Sequence, residues 1–515
     1  MKSTAKAIGF VMILMFVSRL MSLISSLVYT TYFGNTLEIN IYSYAIQFPM
    51  IIFNTFGTAL ATVVIPIFAG YLGKGEKNKA FSFANNILSL SLFFSLLLSI
   101  AGILLAPVFP QFTEFKYNGY QFAVGALRIM FPIIIFYTLN YVLQGILQSF
   151  EKFNMPAFVS VPSSLVVIGY VLLFGNSYGV RGLLIATFLG LSLQGLVLIP
   201  PVLKTEYRFR PSFNLRDNDV KKATRLMIPV IIGSSAYQFN MFFNITMVAN
   251  YENAVTITSI VQNLVLYSVL AFVYSITSVV FPRMTVMVAK KNMEQFKNNL
   301  NKTIRGIAFL LIPVTFGFIA ISQRLIDLLV GWGKITPDEV EFAANMFTLY
   351  SVGILGIGIK EVVDRAFYAM NDTRRPAYNG IVIMAANIAV ILICRPFLGV
   401  YAIPIGYSFS ILVGAFSILY MIRKKIGAFG GERILHTMFK TTVSSVIMLI
   451  IVMLINKQID IFYFGYAILD KVIKLAVPVA IGVAIFFAAS LILKTEEANE
   501  IMEKVMKSIK VKFRW

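Results

Sequence analysis

AIGFVMILMFVSRLMSLISSLVYT, residues 7–30, is an apolar run with one arginine, Arg19, near its middle. About 20 helical residues at 1.5 Å each span the hydrocarbon of a bilayer, so this stretch reads as a membrane helix. A guanidinium at that depth is costly unless it meets water, a partner or an anion. Ser22 and Ser26 follow three and seven positions later, on the same helical face. The run therefore reads as one wall of an internal cavity that receives a negatively charged group. The competing reading, an arginine held by a neighbouring helix purely for packing, is weaker, because ionisable side chains inside membranes are functional by default.

The rest of the chain has the same character. Of 515 residues 58% are hydrophobic and 13% charged, and the mean hydropathy is +0.80. The fold class is an all-α polytopic membrane protein. Lys2 and Lys6 before the first run imitate a signal peptide, but the run is too long and no small-residue cleavage site follows. One cysteine, Cys394, leaves no disulfide and no thiolate metal site, and the single histidine, His436, stands at a basic loop edge as an interfacial residue. No catalytic residue, metal ligand or cofactor is expected.

Fourteen spans can be placed, at about 7–30, 40–70, 82–107, 121–149, 157–175, 183–202, 226–249, 255–282, 306–330, 340–369, 377–394, 401–421, 437–455 and 472–493. An even number puts both termini on one side. The loops of the opposite side hold only Lys116, Arg181, Lys334, Arg395, Lys457 and Lys471, while most other Lys and Arg lie on the side of the termini. The positive-inside rule makes that side cytoplasmic. The net charge of +21 is then topology and contact with anionic membrane lipids, not a nucleic-acid surface.

The two halves repeat. LQSFEKFNMPAFVSVPSSLVVIGYVLLFGNSYGVRGLLIA (147–186) aligns without a gap to FYAMNDTRRPAYNGIVIMAANIAVILICRPFLGVYAIPIG (367–406), which sets Pro156 on Pro376 and Gly179 on Gly399, 220 positions apart. VIPIFAGYLGKGEKNKAF (64–81) and VFPRMTVMVAKKNMEQF (280–296) form an earlier pair, read as helices ending at Pro66 and Pro282. Six helices separate the copies, so both halves share one orientation, with a binding site expected between them. The domains expected are an N-lobe at 1–205, a basic linker at 206–225, a C-lobe at 226–425, and two further helices with an amphipathic tail at 426–515.

In the second span Asn40, Gln47, Asn54, Thr58 and Thr62 form one polar face; helix seven carries Gln238, Asn240 and Asn244, and helix eight Ser259, Gln262 and Asn263. Lipid-facing amides are expensive, so these faces should turn inward and, with Arg19, line a hydrated cavity. Singly, each amide reads as interhelical glue. Lys360 with Asp364 and Glu361 with Arg365 read as a local i,i+4 ion-pair ladder, with gating as the lesser alternative. Arg128 and Arg324 sit at outer helix ends and can snorkel. A phosphate-binding G-x-x-x-x-G-K-[ST] loop is absent, which argues against ATP hydrolysis. No carboxylate falls mid-membrane in helices one to eight, so the cavity suits an anion better than a cationic drug.

FVSRLMSLISSLVYTTYFG, FPMIIFNTFGTALATVVIPIF and LYSVGILGIGIKEVVDRAFYAMNDTRRPAYNGIVI resemble the MurJ (MviN) lipid II flippases of the multidrug/oligosaccharidyl-lipid/polysaccharide (MOP) exporter superfamily. The FYA-x-x-DT-x-x-P element is the most specific piece. The resemblance implies a two-lobe alternating-access transporter of the bacterial plasma membrane for a polyprenyl-diphosphate-linked saccharide, with a cationic cavity for the diphosphate. It further implies a groove for the polyprenyl tail on the two extra helices and transport driven by membrane potential or an ion gradient. Cell-wall synthesis enzymes join the candidate partners. Of the family's cavity arginines only Arg19 matches; Ser25, Asn40, Asn54 and Asn263 stand at or near the other polar positions. The alternatives are a flippase of the same fold for a teichoic-acid or capsule precursor, a MATE-like small-molecule antiporter, and a non-transporting membrane scaffold.

Overall fold

In the bilayer every backbone polar group must be satisfied within the protein, which leaves long helices as the answer to runs of this kind. The computed structural model describes residues 2–461 and 465–512, and no strand occurs among them. The side chains of Lys2, Lys6 and Thr62, and residues 513–515 of the tail, lie outside the described residues. The helices are α1 (Lys2–Phe33), α2 (Leu37–Gly73), α3 (Lys77–Leu105), α4 (Tyr120–Met130), α5 (Ile133–Ser149), α6 (Asn154–Phe158), α7 (Ser160–Leu196), α8 (Ile199–Leu203) and α9 (Asn218–Val248). They continue as α10 (Val255–Ala289), α11 (Met293–Val330), α12 (Pro337–Ser351), α13 (Ile354–Ala369), α14 (Arg374–Leu398), α15 (Ala402–Ile426), α16 (Gly431–Ile459), α17 (Ala467–Ile492) and α18 (Glu496–Lys512).

Among the described residues eleven helical segments are long and apolar enough to cross a membrane, and a twelfth is α9, bent by 46° between Ile232 and Ser234. Two of these, at 154–203 and 374–426, are 50 and 53 residues long, far more than one crossing needs. Each folds back on itself. Gly179 (φ 55, ψ −149) and Gly399 (φ 56, ψ −131) make the turns, in a backbone region only glycine enters freely. Gln194 Nε2 donates to Ser163 Oγ at 2.8 Å across the first hairpin. Gly414 packs on Ile383 at the equivalent place in the second, 220 residues on in both positions. Counting each hairpin as two spans gives the fourteen expected.

The repeat extends into the backbone. Glu151 and Asn371 are left-handed (φ 58 and 57), and Lys152 N to Leu147 O and Asp372 N to Phe367 O close the same helix-ending motif. Gly75 and Lys291 (φ 76 and 55) do likewise, with Glu76 N to Tyr71 O and Asn292 N to Met287 O. One expectation is corrected here. Pro66 and Pro282 do not end helices; they lie inside α2 and α10, which run on to Gly73 and Ala289. A proline removes one backbone donor, and packed membrane helices tolerate that loss.

Contacts group the chain into two compact units, residues 1–260 with 333–335, and 261–332 with 336–515. In the first, α2 is the axis, and Phe68, Phe83, Leu143, Ile146 and Tyr207 form part of its core. The segment from Thr205 to Asp217 is strapped to α3: Asn85 Oδ1 accepts Tyr207 Oη and Arg210 N, Ser89 Oγ accepts Ser212 N, and Asn86 Oδ1 accepts Asn214 N. Asp217 then caps α9 by accepting Asp219 N at 2.8 Å.

In the second unit α11 is the axis, with α16 and α17 packed on it through Phe309, Met448, Val452 and Phe486. Arg324, expected to snorkel, is instead anchored: it donates to Asn456 Oδ1 at 2.9 Å and to Asp460 at 2.9 Å, which ties α11 to α16. The tail forms α18 as expected, and Arg305 and Lys302 of α11 hold its start through Glu496, Glu497 and Glu500.

Candidate functional site

α1 is docked by its serine face. Ser18, 5% exposed, donates Oγ to Ala157 O at 2.6 Å and so fixes the rotation of the helix. That leaves Arg19, the next residue, exposed on the unit. Ser22 and Ser26 are half-buried, and their hydroxyls donate to Ser18 O and Leu23 O within α1. Such back-bonding satisfies the hydroxyl locally. The hydroxyls of the stripe beneath Arg19 are thus engaged along their own helix.

Arg19 lies close enough to Tyr141 of α5 for its charge to act on the phenol. Tyr141 is wedged against α2. A Cβ at Gly57 would come within 2.8 Å of its ring, and its hydroxyl donates to Asn54 Oδ1 at 3.4 Å. Thr58, exposed one turn on, donates to Asn54 O at 2.7 Å. α2 and α5 thus bring a phenol, an amide and a hydroxyl together, and the guanidinium of α1 acts on the phenol through its charge. The set is rich in hydrogen-bond donors and holds no carboxylate, which is the chemistry of an anion or polyol site. Sequence reasoning missed Tyr141; a small residue between two polar positions, Gly57 between Asn54 and Thr58, was the signal that a ring lies against that face.

The N-terminal part of the α2 polar face does something else. Asn40, fully buried, accepts Thr256 N at 2.9 Å and donates to Asn35 Oδ1 and Thr36 O at 3.0 and 2.8 Å. It thereby serves the first turn of α10, whose orphan amide it fills. Ser43 and Thr256 share a hydrogen bond at 2.8 Å, and Gln47 Nε2 donates to Ser259 Oγ at 2.7 Å. Asn40 and Gln47 hold a junction between helices, while Asn54 meets Tyr141 and Thr58 bonds back to Asn54.

The remaining candidates are dispersed. On α9 Gln238 is half-buried, and Asn240 and Asn244 are 5% and 6% exposed. Gln262 is half-buried and Asn263 exposed on the part of α10 that belongs to the second unit. On α13 the ladder forms as read: Lys360 Nζ to Asp364 at 2.7 Å, and Arg365 to Glu361 at 2.7 Å. Asp364 Oδ1 is buried with no hydrogen-bond partner. In the loop after α13 Asp372 binds Arg375 and Lys425, each at 2.6 Å. Partial burial raises its pKa, but Lys425 and Arg375 outweigh that and hold it below the ordinary carboxylate value. The aspartate of the FYA-x-x-DT-x-x-P element is thus a clamp on the α14–α15 hairpin.

A family model described as "Lipid II flippase MurJ" matches residues 29–473. The match begins after Arg19, so it rests on the rest of the chain. A probable lipid II flippase MurJ of Rickettsia prowazekii (strain Madrid E) is 25% identical over 491 residues, covering 93% of this chain and 96% of its own. One from Treponema pallidum (strain Nichols) is 24% identical over 519 residues, covering 97% of each. Among solved structures, a lipid II flippase MurJ in an inward closed conformation superposes with a TM-score of 0.77 at 20% identity, covering 93% of this chain and 98% of that one. An inward-facing multidrug resistance MATE family transporter of the MOP superfamily gives 0.65 at 18%, covering 81% and 99%.

Proposed function

The chain belongs to the lipid II flippase MurJ family, and from that premise we propose that it carries a polyprenyl-diphosphate-linked saccharide, lipid II first, from the cytoplasmic to the outer leaflet by alternating access. It is a multi-pass membrane protein and acts as a transporter, without covalent chemistry. Both termini face the cytoplasm, a reading supported by the basic loops on their side. Membrane potential or an ion gradient supplies the drive.

The observation that carries the site is the Tyr141–Asn54 pair between α5 and α2, with the charge of Arg19 within electrostatic reach of the phenol. An arginine fork can take two oxygens of a diphosphate at once, and the low dielectric around a membrane helix strengthens that pairing. The Asn54 amide, whose oxygen takes the Tyr141 proton, turns its N–H donors to the second phosphate or the first sugar. A hydrogen bond to a charged group contributes about 1.5–3 kcal/mol, so losing the fork costs roughly ten- to a hundredfold in binding.

Translocation of labelled lipid II in proteoliposomes tests this. Arg19→Ala should abolish it in protein that still inserts, and Arg19→Lys should retain part of it, since the charge stays and the fork is lost. Normal transport by Arg19→Ala removes the anchor assignment. Rescue of a flippase-depleted strain separates lipid II from other lipid-linked glycans.

A further inference from the structure

The turn between α17 and α18 and the first three turns of α16 line a cavity of about 430 Å³. Arg433, His436 and Lys440 line it from α16, on one helical face, and Lys494 lines it from the turn. Two acids share it, Glu432 and Glu496. Glu496 is engaged from outside the cavity, because Arg305 Nη2 binds its carboxylate at 2.5 Å. That pairing holds the Glu496 carboxyl below its usual value, and the positive charge of Arg433 adds to the effect. Three cations, Arg433, Lys440 and Lys494, thus face the cavity against two acids, of which Glu496 is already paired to Arg305.

Its shape is fixed by the backbone. Lys494 is left-handed (φ 51), and Thr495 N and Oγ1 both bond Ser490 O, so α17 ends abruptly and α18 leaves at an angle. Lys440 Nζ reaches the Lys494 carbonyl at 3.3 Å and closes one wall. Beside the basic residues, Leu435 and Phe439 on α16 and Ile492 on α17 are 67%, 69% and 78% exposed. A basic cavity with a large apolar strip next to it, at the end of two membrane spans, has the two-part chemistry of a lipid.

We propose that this cavity binds the phosphodiester headgroup of an anionic glycerophospholipid, with Arg433, Lys440 and Lys494 on the phosphate and the acyl chains along Leu435, Phe439 and Ile492. Free inorganic phosphate shares the headgroup chemistry but has no use for the apolar strip. The site belongs to the helices that stand outside the internal repeat and is independent of Arg19. Bound lipid would brace α16, α17 and α18 together at the membrane surface. A cation near an anionic lipid surface contributes about 1 kcal/mol, close to fivefold in affinity.

Native mass spectrometry of the full-length protein in detergent, titrated with phosphatidylglycerol and separately with phosphatidylcholine, tests the proposal. Phosphatidylglycerol should bind in preference, Arg433→Gln should weaken it about fivefold, and Arg433→Gln with Lys494→Gln should weaken it more than tenfold, with phosphatidylcholine unchanged. The single variant keeps the Lys440 bond to the Lys494 carbonyl, so loss there is not a packing defect; thermal unfolding of both variants should match the parent. Inorganic phosphate at millimolar concentration should not displace the lipid, and Arg19→Ala should bind it as the parent does. Equal binding of the two lipids, retention by the double variant, displacement by phosphate alone, or loss in Arg19→Ala would each overturn the assignment.

Discussion

Gly179 and Gly399, 220 residues apart, adopt one backbone conformation, φ 55 and φ 56 with ψ −149 and −131, and each turns a helix back along itself. Two independent stretches of sequence have thus kept the same device at the same register. No atom lies within 4 Å of a Cβ built on Gly179, so the demand there is conformational alone. Gly179→Ala should therefore lower stability by about 1–3 kcal/mol through backbone strain. Thermal unfolding in detergent, followed by tryptophan fluorescence, reads the loss; an unchanged midpoint would mean that the turn does not need the glycine.

Asn40 and Asn54 lie on one helical face and should behave oppositely. Asn40→Ala strands the Thr256 amide and the Asn35 carbonyl oxygen in a fully buried place. The expected loss is about 2–4 kcal/mol, a few hydrogen bonds' worth plus desolvation of what is left unpaired. Asn54→Ala should leave the unfolding midpoint near the parent's and reduce transport. Measuring both quantities on both variants decides it, and a stability loss in Asn54→Ala with normal transport would reverse the division.

That division marks the limit of the sequence. The spacing of Asn40, Gln47, Asn54 and Thr58 says that they share a face, and they do; which neighbour each meets depends on where the start of α10 and the ring of Tyr141 sit along α2. Hairpin turns were legible because Gly179 and Gly399 must be glycine, and the ladder of α13 because i,i+4 contact is local. Pro66 and Pro282 misled, since proline breaks a helix in water more surely than in a packed membrane bundle. The anchoring of Arg324 to Asn456 and Asp460 spans more than 130 residues and leaves no local pattern.

Tyr141 should matter to transport through its hydroxyl. Tyr141→Phe keeps the ring against Gly57 and removes only the bond that orients the Asn54 amide. A neutral hydrogen bond contributes about 0.5–1.5 kcal/mol, which predicts a two- to tenfold fall in lipid II translocation. In combination with Arg19→Lys, which retains part of the transport, the fall should be smaller than the product of the two single losses if both groups serve one anion. A fully independent loss in the double variant, read from initial rates in proteoliposomes, would separate them.

The tail helix should be released by acid. Glu496 is held below the ordinary carboxylate value, first by its bond to Arg305. A carboxylate depressed in the folded state contributes stability above its unfolded pKa of about 4.3, and that stability is lost as pH falls through the lower folded value. α18 should stay docked at pH 5 and above and open only in stronger acid. Hydrogen exchange over residues 496–503, corrected for the intrinsic pH dependence of amide exchange, measures it. Glu496→Gln should flatten the acid response and lower protection at neutral pH. Arg305→Met is the severe case: it leaves Glu497, 11% exposed, without its partner, at a cost of about 3–5 kcal/mol for an uncompensated buried charge. Protection that is the same at pH 3 and pH 7 in the parent protein would show that the Arg305 clamp does not hold the tail.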